Sequence, residues 1–492
     1  MFESAELGHK IDKETYDAEE PVLRLSLLEA QFTLAKTRDF PVIVLIGGVD
    51  GAGKGPTVNV LNAWMDPRLI ETNAMGAPSD EEEDRPRMWR FWRALPPAGK
   101  IGIFFGSWYS QPILNRVYGE TGASDLEKSI EEIERFEAML AAEGALILKF
   151  WFHLSKKAQK KRLKALEKDS VNHWRVQDTD WERFEMYDRF RKISELTLRR
   201  TSKGHAPWHV VEGGDERYRN LTVGRTLLAA LRERLDGVQP EPAAAAAPPP
   251  LPSVDGRNVI DALDLSLALK KKEYEERLAE LQGRFNGLSR HKKFARHALV
   301  AVFEGNDAAG KGGAIRRMTG ALDARFFRVV PVAAPTEEER LHPYLWRFWR
   351  HIPRRGNCVI FDRSWYGRVL VERVEELSPE DAWMRAYGEI NDFEEELARH
   401  GCILAKFWLA IDRNEQEARF RARQDTGYKR FKLTPDDWRN RDKWDLYVHA
   451  VSDMVDRTST SVAPWTLVEA NDKYHARIKV LETLCERIEA AF

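Results

Sequence analysis

The sequence predicts an α/β fold laid down twice: two tandem three-layer α/β/α domains, each built on a parallel sheet. Three observations predict it. Apolar runs of strand length alternate with long charged stretches of helical pattern through the 492 residues, the arrangement of a parallel sheet covered on both faces. Two glycine-rich loops, Gly48-Val49-Asp50-Gly51-Ala52-Gly53-Lys54-Gly55 and Gly305-Asn306-Asp307-Ala308-Ala309-Gly310-Lys311-Gly312, each follow such a run. One offset, 311 − 54 = 257, carries the first loop onto the second together with much of the chain around it.

Each half opens on a helical pattern, visible in the second as Tyr274, Leu278 and Leu281. The first strands are expected at 41–46 and 298–303, running into the loops. Both loops fit G-x-x-x-x-G-K, a spacing that wraps backbone N–H groups around phosphate and aims a lysine at it. The strand-loop-helix context sets that cradle where a helix N-terminus offers unpaired donors. Later strands are expected at 100–105 and 357–361, 145–152 and 402–411, and 209–212 and 466–469. Ligands are expected at the C-terminal ends of these strands.

The 257 offset also places Arg90-Phe91-Trp92-Arg93 on Arg347-Phe348-Trp349-Arg350 and Ser107-Trp108-Tyr109 on Ser364-Trp365-Tyr366. Lys149-Phe150-Trp151 falls on Lys406-Phe407-Trp408, Trp181 on Trp438, and Pro207-Trp208 on Pro464-Trp465. One offset held through five tryptophan-containing motifs identifies a duplicated domain rather than a short-period solenoid. Between the halves, Pro240-Glu241-Pro242, five alanines and Pro248-Pro249-Pro250 form a stretch that cannot bury a core. The expected organisation is a domain at 1–236, a linker at 237–255 and a domain at 256–492.

Composition narrows the function. A formal net charge of −1 gives no global basic excess, so a nucleic-acid partner is not expected. Cys358, Cys402 and Cys485 have no metal-ligand spacing, which suits packing as small hydrophobes in a reducing cytoplasm. No apolar run approaches the roughly 20 residues of a membrane span, and the acidic, polar opening Met1-Phe2-Glu3-Ser4-Ala5-Glu6 does not read as a signal peptide. The oligomeric state, a homo-oligomer included, stays open.

The second loop has the surroundings that phosphoryl transfer needs, a reaction governed by positioning and charge neutralisation. Gly312 stands where a Mg²⁺-binding Ser or Thr usually follows the lysine, so a metal needs other oxygens. Asp307 in the loop and Asp362 at the end of the strand Cys358-Val359-Ile360-Phe361 supply them. Capping of the next helix is the other reading of Asp362. Arg363 and Arg368 follow, suited to gripping phosphoryl oxygens bidentately. Glu372, four residues beyond Arg368, is either part of the site or a partner for Arg368 on one helix face. The backbone cradle comprises Gly305, Asn306, Ala308, Ala309, Gly310, Gly312 and Gly313. Between 413 and 443 lies a basic segment with Arg421, Arg423, Lys429, Arg430 and Lys432. Its place after the fourth strand favours a lid over a plain solvated face, and its cations exceed what a nucleotide triphosphate needs. They suit a long polyanion. The aromatic clusters at 346–349 and 365–366 read as core before base-stacking surface.

These residues resemble the second family of polyphosphate kinases. Gly305 through Gly313 is similar to its Walker A loop, and Asp362-Arg363-Ser364-Trp365-Tyr366-Gly367-Arg368 to its Walker B segment. Tyr428-Lys429-Arg430-Phe431-Lys432 is similar to its lid, and 457–465 to its last conserved segment. The resemblance covers the second half closely and the first more weakly. It implies a P-loop kinase-like fold with a helical lid, and Mg²⁺-dependent movement of the terminal phosphoryl of inorganic polyphosphate onto a nucleotide. The fused two-domain form implies AMP as acceptor and ADP as product, with Asp307, Lys311, Asp362, Arg363 and Arg368 carrying catalysis in the C-terminal domain. A nucleoside diphosphate acceptor, an ATP-using nucleotide kinase and a polyphosphate-binding protein without turnover are the alternatives.

The offset also shows what the first half lacks. Asp50 and Lys54 match Asp307 and Lys311, but Phe105 stands for Asp362, Gly106 for Arg363, Gln111 for Arg368 and Asn115 for Glu372. Asn172-His173 replaces Lys429-Arg430. The first domain is therefore expected to keep a phosphate cradle and to lack catalysis.

Overall fold

The computed structural model describes residues 1–171, 173–176, 178–237, 258–425 and 435–492. Most of the expected linker lies outside them, as do Lys429, Arg430 and Lys432. Two compact units are present, one built mainly on residues 1–78 and 90–237, the other on 258–334 and 347–492. Each holds a five-stranded sheet whose pairings are all parallel.

The first unit contains β1 Val42–Gly48, β2 Ile70–Ala74, β3 Ile101–Phe105, β4 Leu146–His153 and β5 Trp208–Glu212, in the order β2-β3-β1-β4-β5. The second contains β6 Ala298–Gly305, β7 Phe327–Pro331, β8 Cys358–Asp362, β9 Cys402–Ala410 and β10 Trp465–Glu469, in the equivalent order. The longer helices of the first unit are α1 Lys13–Thr37, α2 Lys54–Trp64, α3 Ser110–Tyr118, α4 Ala123–Ala142, α5 Lys156–Lys168, α6 Asp178–Glu185, α7 Tyr187–Thr201 and α8 Glu216–Leu235. Those of the second are α9 Lys271–Ser289, α10 Lys311–Thr319, α11 Glu380–Arg399, α12 Arg413–Gln424, α13 Pro435–Asp442, α14 Trp444–Thr458 and α15 Lys473–Ala490. Among the described residues, no helix is long and apolar enough to cross a membrane.

The predicted strands are all present, within two residues at each end. The edge strands β2 and β7 were not predicted. Ile-Glu-Thr-Asn-Ala and Phe-Arg-Val-Val-Pro each bury a single residue, so they lack the apolar run that marks a strand covered on both faces. The central strands are the opposite case: β6 buries seven of its eight residues and β9 all nine. On one face of the second sheet, Leu299, Ala301, Phe303, Ala405 and Phe407 pack with Phe285 of α9 and Leu481 of α15.

On the other face each sheet buries an ion pair. Lys406 of β9 and Glu394 of α11 are both fully inaccessible, 2.7 Å apart. The Lys406 ammonium also donates to the Tyr366 hydroxyl at 2.7 Å and to the Thr458 carbonyl at 2.8 Å, so all three of its protons are used. The other Glu394 oxygen accepts from Trp365 Nε1 at 3.0 Å and from the Tyr366 hydroxyl at 2.7 Å. The first unit repeats the network with Lys149, Glu137, Tyr109, Trp108 and the Thr201 carbonyl. Below each, Trp465 and Trp208 donate to Thr458 and Thr201 at 2.9 Å. The Ser-Trp-Tyr, Lys-Phe-Trp and Pro-Trp repeats of the sequence are thus the parts of one buried polar cluster per domain. The rings at 346–349 and 365–366 that the sequence left between core and stacking surface are core.

Removing one member of a buried, hydrogen-bonded ion pair strands the other charge, at about 3–5 kcal/mol. Lys406→Met and Lys149→Met are each expected to lower unfolding stability by that amount in denaturant titrations. Joint replacement of Lys406 and Glu394 by Met and Leu is expected to recover part of the loss.

Candidate active site

The second glycine loop leaves β6 at Gly305 and enters α10 at Lys311. Gly305 has φ +148°, and a Cβ there would sit 2.4 Å from the Leu409 carbonyl oxygen, so only glycine lets β6 and β9 pass. Lys311 folds back to donate to the Gly305 carbonyl at 2.7 Å and the Asn306 carbonyl at 3.3 Å. Burial pushes its ammonium below the usual lysine range, against the pull of Asp307, with Arg363 adding to the depression.

Asp307 stands at the centre. Arg363 Nη2 approaches one carboxylate oxygen at 3.2 Å, and Asn440 Nδ2 of α13 donates to the other at 2.9 Å. Gln416 of α12 donates to the Asp307 carbonyl at 3.2 Å. Asp362 ends β8 beside Phe303 of β6, and its charge acts on Lys311 along with those of Asp307, Arg363 and Glu304. Asp307, Arg363, Gln416 and Asn440 border a cavity of about 90 Å³. Glu304, Asn306, Asp307, Arg363 and Asn440 give its polar wall, and Leu370, Trp408, Trp444 and Tyr447 its apolar one.

Two loop residues hold strained backbone. Ala308 has φ +65° and Arg363 φ +64°, the left-handed region that non-glycine residues seldom occupy. Arg363 is held there by its own N–H, which donates to the Phe303 carbonyl at 3.0 Å. The next residue, Ser364, donates to the buried Glu304 carboxylate at 2.8 Å. Burial raises the pKa of Glu304, opposed by the Ser364 hydroxyl, Lys311 and Arg363.

Arg368 and Glu372 flank cavity-lining residues, Gly367 on one side and Leu370 and Val371 between them. They pair with each other at 2.9 Å, and Arg368 also donates to Ser378 at 3.3 Å. They do not share one helix as the spacing predicted: Arg368 closes a 3₁₀ turn, Trp365–Arg368, and Glu372 lies in the short helix Val371–Val374. The described part of the basic segment is also less open than its composition predicts. Arg421 pairs with Glu417, Arg441 with Glu417, and Arg439 and Lys443 with Glu375. Arg423 is half-buried. Arg419 is a strut: it donates to the carbonyls of Ala308, Ala309, Ala470 and Asn471 at 2.7–3.1 Å, binding α12 to the loop.

Glu304, Gln416, Asn440 and Tyr447 belong to this site, and sequence reasoning did not select them. For Glu304 and Asn440 the 257 offset held a signal, because they differ from Gly47 and Arg183 where the flanking motifs match.

The first unit's loop has closed on itself. Lys54 bonds Asp50 at 3.1 Å as well as the Gly48 carbonyl at 2.7 Å, and Arg183 stands 3.7 Å from the other Asp50 oxygen. Burial pushes the Asp50 carboxyl up, but Lys54 and Arg183 outweigh it and hold its pKa below the ordinary value. Arg219 of α8 lies against Gly53, where a Cβ would meet its guanidinium at 2.3 Å, and it bonds Thr57 and the Gly213 carbonyl.

Residues 10–237 and 268–491 each match the polyphosphate kinase 2 family. The chain belongs to that family. It is 60% identical to the polyphosphate:AMP phosphotransferase of Pseudomonas aeruginosa over all of this chain and 99% of the relative. It is 56% identical, over the same shares, to the protein of that name from Pseudomonas syringae pv. tomato. A crystal structure of a polyphosphate kinase 2 from Pseudomonas aeruginosa superposes with a TM-score of 0.90 at 58% identity, covering all of this chain and 99% of that one.

Arg363→Gly separates strain from chemistry. It is expected to leave unfolding stability unchanged or raise it by up to about 1 kcal/mol, since the left-handed strain is relieved while chain entropy rises. Turnover is expected to fall at least about a hundredfold through loss of the guanidinium, measured beside the denaturant midpoint.

Proposed function

We propose that this chain is a polyphosphate:AMP phosphotransferase whose working site lies in the second unit, around Asp307, Lys311, Asp362 and Arg363. The observation that carries this is the asymmetry of the two loops. One has an aspartate held by an arginine and an amide, with a second carboxylate at the adjacent strand end. The other has its aspartate neutralised by its own lysine, and Phe105 at the strand end. The full-length relatives carry the same activity in their names.

The terminal phosphoryl of polyphosphate lies at the N-terminus of α10, where unpaired backbone donors and the Lys311 ammonium meet it. Lys311 exchanges its carbonyl partners for phosphoryl oxygens. An oxygen of the AMP phosphate forms the new bond to phosphorus. The bond to the penultimate phosphate breaks, and the shortened chain leaves with the electron pair. The attacking oxygen is already ionised, so no strong general base is needed. Arg363, released toward the cavity, stabilises the charge that spreads over the transferring group. Arg368, held by Glu372 and Ser378, offers a second guanidinium to phosphoryl oxygens.

The donor set fits Mg²⁺. Among the described residues no group of three or more His, Cys, Asp or Glu could hold a metal. Two carboxylates, Asp307 and Asp362, meet the needs of a cation that takes its other ligands from water and substrate phosphates. When bound, the ion neutralises phosphoryl charge and helps align donor and acceptor. Asn440 holds the Asp307 carboxylate that would help bind the ion. The first unit, with Phe105, Gly106 and Gln111 in place of Asp362, Arg363 and Arg368, is catalytically silent.

Incubation with AMP, polyphosphate and Mg²⁺ but no ATP is expected to yield ADP. Turnover appearing only when ATP is added would reject this reading. Lys311→Ala is expected to abolish the reaction and Lys54→Ala to leave most of it; equal losses would place chemistry in both units. EDTA is expected to stop turnover, and Asp307→Asn and Asp362→Asn are each expected to reduce it at least about a hundredfold at saturating Mg²⁺.

A further inference from the structure

The catalytically silent unit carries the more open cationic helix. Over residues 156–168, seven Lys or Arg and one Glu give 7 − 1 = +6. The equivalent thirteen residues of the second unit, 413–425, hold four Arg against two Glu and one Asp, 4 − 3 = +1. The second unit's helix answers its arginines internally, with Arg419–Glu415 and Arg421–Glu417 pairs. In α5, Lys156 pairs with Asp188. Lys157, Lys160, Lys161, Lys164, Lys168 and Arg162 are exposed and, among the described residues, have no acidic partner within ion-pair distance.

That pattern works against the helix. Lys156–Lys160, Lys157–Lys161, Lys160–Lys164 and Lys164–Lys168 are like charges four residues apart, an arrangement that destabilises a helix. A purely structural domain gains nothing from it. The helix is nevertheless well anchored. Ser155 caps its first turn, Leu163 is buried beneath it, and Gln159 donates to the Asp50 carbonyl at 3.0 Å, fixing α5 beside the retained glycine loop. Lys157, Lys161, Lys164 and Lys168 recur at i, i+4, i+7 and i+11, one stripe about 16 Å long at 1.5 Å per residue.

We propose that α5 of the first unit binds the polyphosphate chain at a distance from its reacting end, as an auxiliary substrate-holding surface. The proposal rests on the polyphosphate reading above. A row of solvated ammonium groups matches a flexible linear polyanion with a charge on every phosphate. It matches single-stranded nucleic acid less well, because such sites pair cations with a series of stacking rings. The helix itself has no aromatic side chain, and a single exposed ring, Trp174, stands in the turn after it.

The test is the full-length chain with Lys157→Gln, Lys161→Gln, Lys164→Gln and Lys168→Gln combined, since glutamine keeps the helix propensity of lysine. Binding of long-chain polyphosphate alone, without AMP, is measured across a salt series, and turnover is measured separately. A dissociation constant raised about tenfold or more is expected, with the log–log salt slope lower by about 3, as four lost phosphate contacts predict at roughly 0.7 each. Tripolyphosphate affinity and kcat at saturating long chain are expected to stay unchanged. Unchanged long-chain affinity and slope would overturn the proposal. So would an equal loss for tripolyphosphate, or tighter binding of a single-stranded oligonucleotide than of polyphosphate by the parent protein. If the parent binds polyphosphate but does not phosphorylate AMP, the functional reading fails and this binding test still stands.

Discussion

The buried ammonium–carboxylate pair under each sheet is the constraint on which the rest of each domain depends. Lys406 reaches from the central strand β9 to Glu394 on α11, to Tyr366 just after β8 and to the C-terminal turn of α14. Four segments of the chain are thereby tied to one point. The segment Asp362-Arg363-Ser364 lies immediately before Trp365 and Tyr366, both of which bond Glu394. In an environment without water, an unmet proton or lone pair would be expensive, so these bonds admit little slack. The residue that most needs aiming, Arg363, leaves from a backbone fixed on its C-terminal side by this cluster and on its N-terminal side by β8.

That fixity makes the strain at Arg363 tenable. Left-handed backbone at a non-glycine residue persists only where the surroundings over-determine it. Both halves need a positive φ here and in the glycine loop: φ is +64° at Arg363 and +83° at Gly106, +65° at Ala308 and +81° at Gly51. The first unit has glycine at both positions and holds the same path without strain. It has also exchanged Glu304, which anchors Ser364, for Gly47. A strained residue together with its anchor is retained where a guanidinium must be presented, and both are gone where Phe105 replaces Asp362. The bends belong to the fold, and the side chains on them belong to the proposed chemistry.

Much of this was legible in the sequence because its physical causes are local or repeated. The glycine loops, the central strands and the duplication follow from backbone geometry and from burial on both faces. Asp307, Lys311, Asp362 and Arg363 follow from motif context, and the structure places them around one loop. The edge strands β2 and β7 were not legible, because each buries one residue and has no distinctive pattern. Arg419 illustrates the other limit. Counted by composition it is one cation of a basic segment, yet in the fold it is consumed by four backbone carbonyls. Whether a charge serves a substrate or a carbonyl depends on what folds against it, and no spacing rule carries that. Arg368 shows the same dependence on context: its motif suggests phosphate, and in the fold Glu372 and Ser378 hold its guanidinium.

The contrast between Asn440 and Arg183 shows how one side chain decides what a loop can do. Both face the aspartate of their glycine loop, at equivalent positions in the duplication. Asn440 is a neutral donor: it orients Asp307 and leaves the negative charge to be met by Arg363 or by a cation. Arg183 brings a full charge to Asp50, which already has Lys54. In the second unit the lysine rests on carbonyl oxygens, weak partners that a phosphate readily outbids. In the first it bonds a carbonyl and also a carboxylate, so part of its charge is already answered by an ion pair. Hydrogen bonds from neutral groups hold geometry while leaving charge available, whereas ion pairs hold geometry by cancelling charge. The two halves of this chain differ at the loop by that choice: one keeps its lysine on carbonyl oxygens and its aspartate on an arginine and an amide, and the other pairs its lysine with its own aspartate.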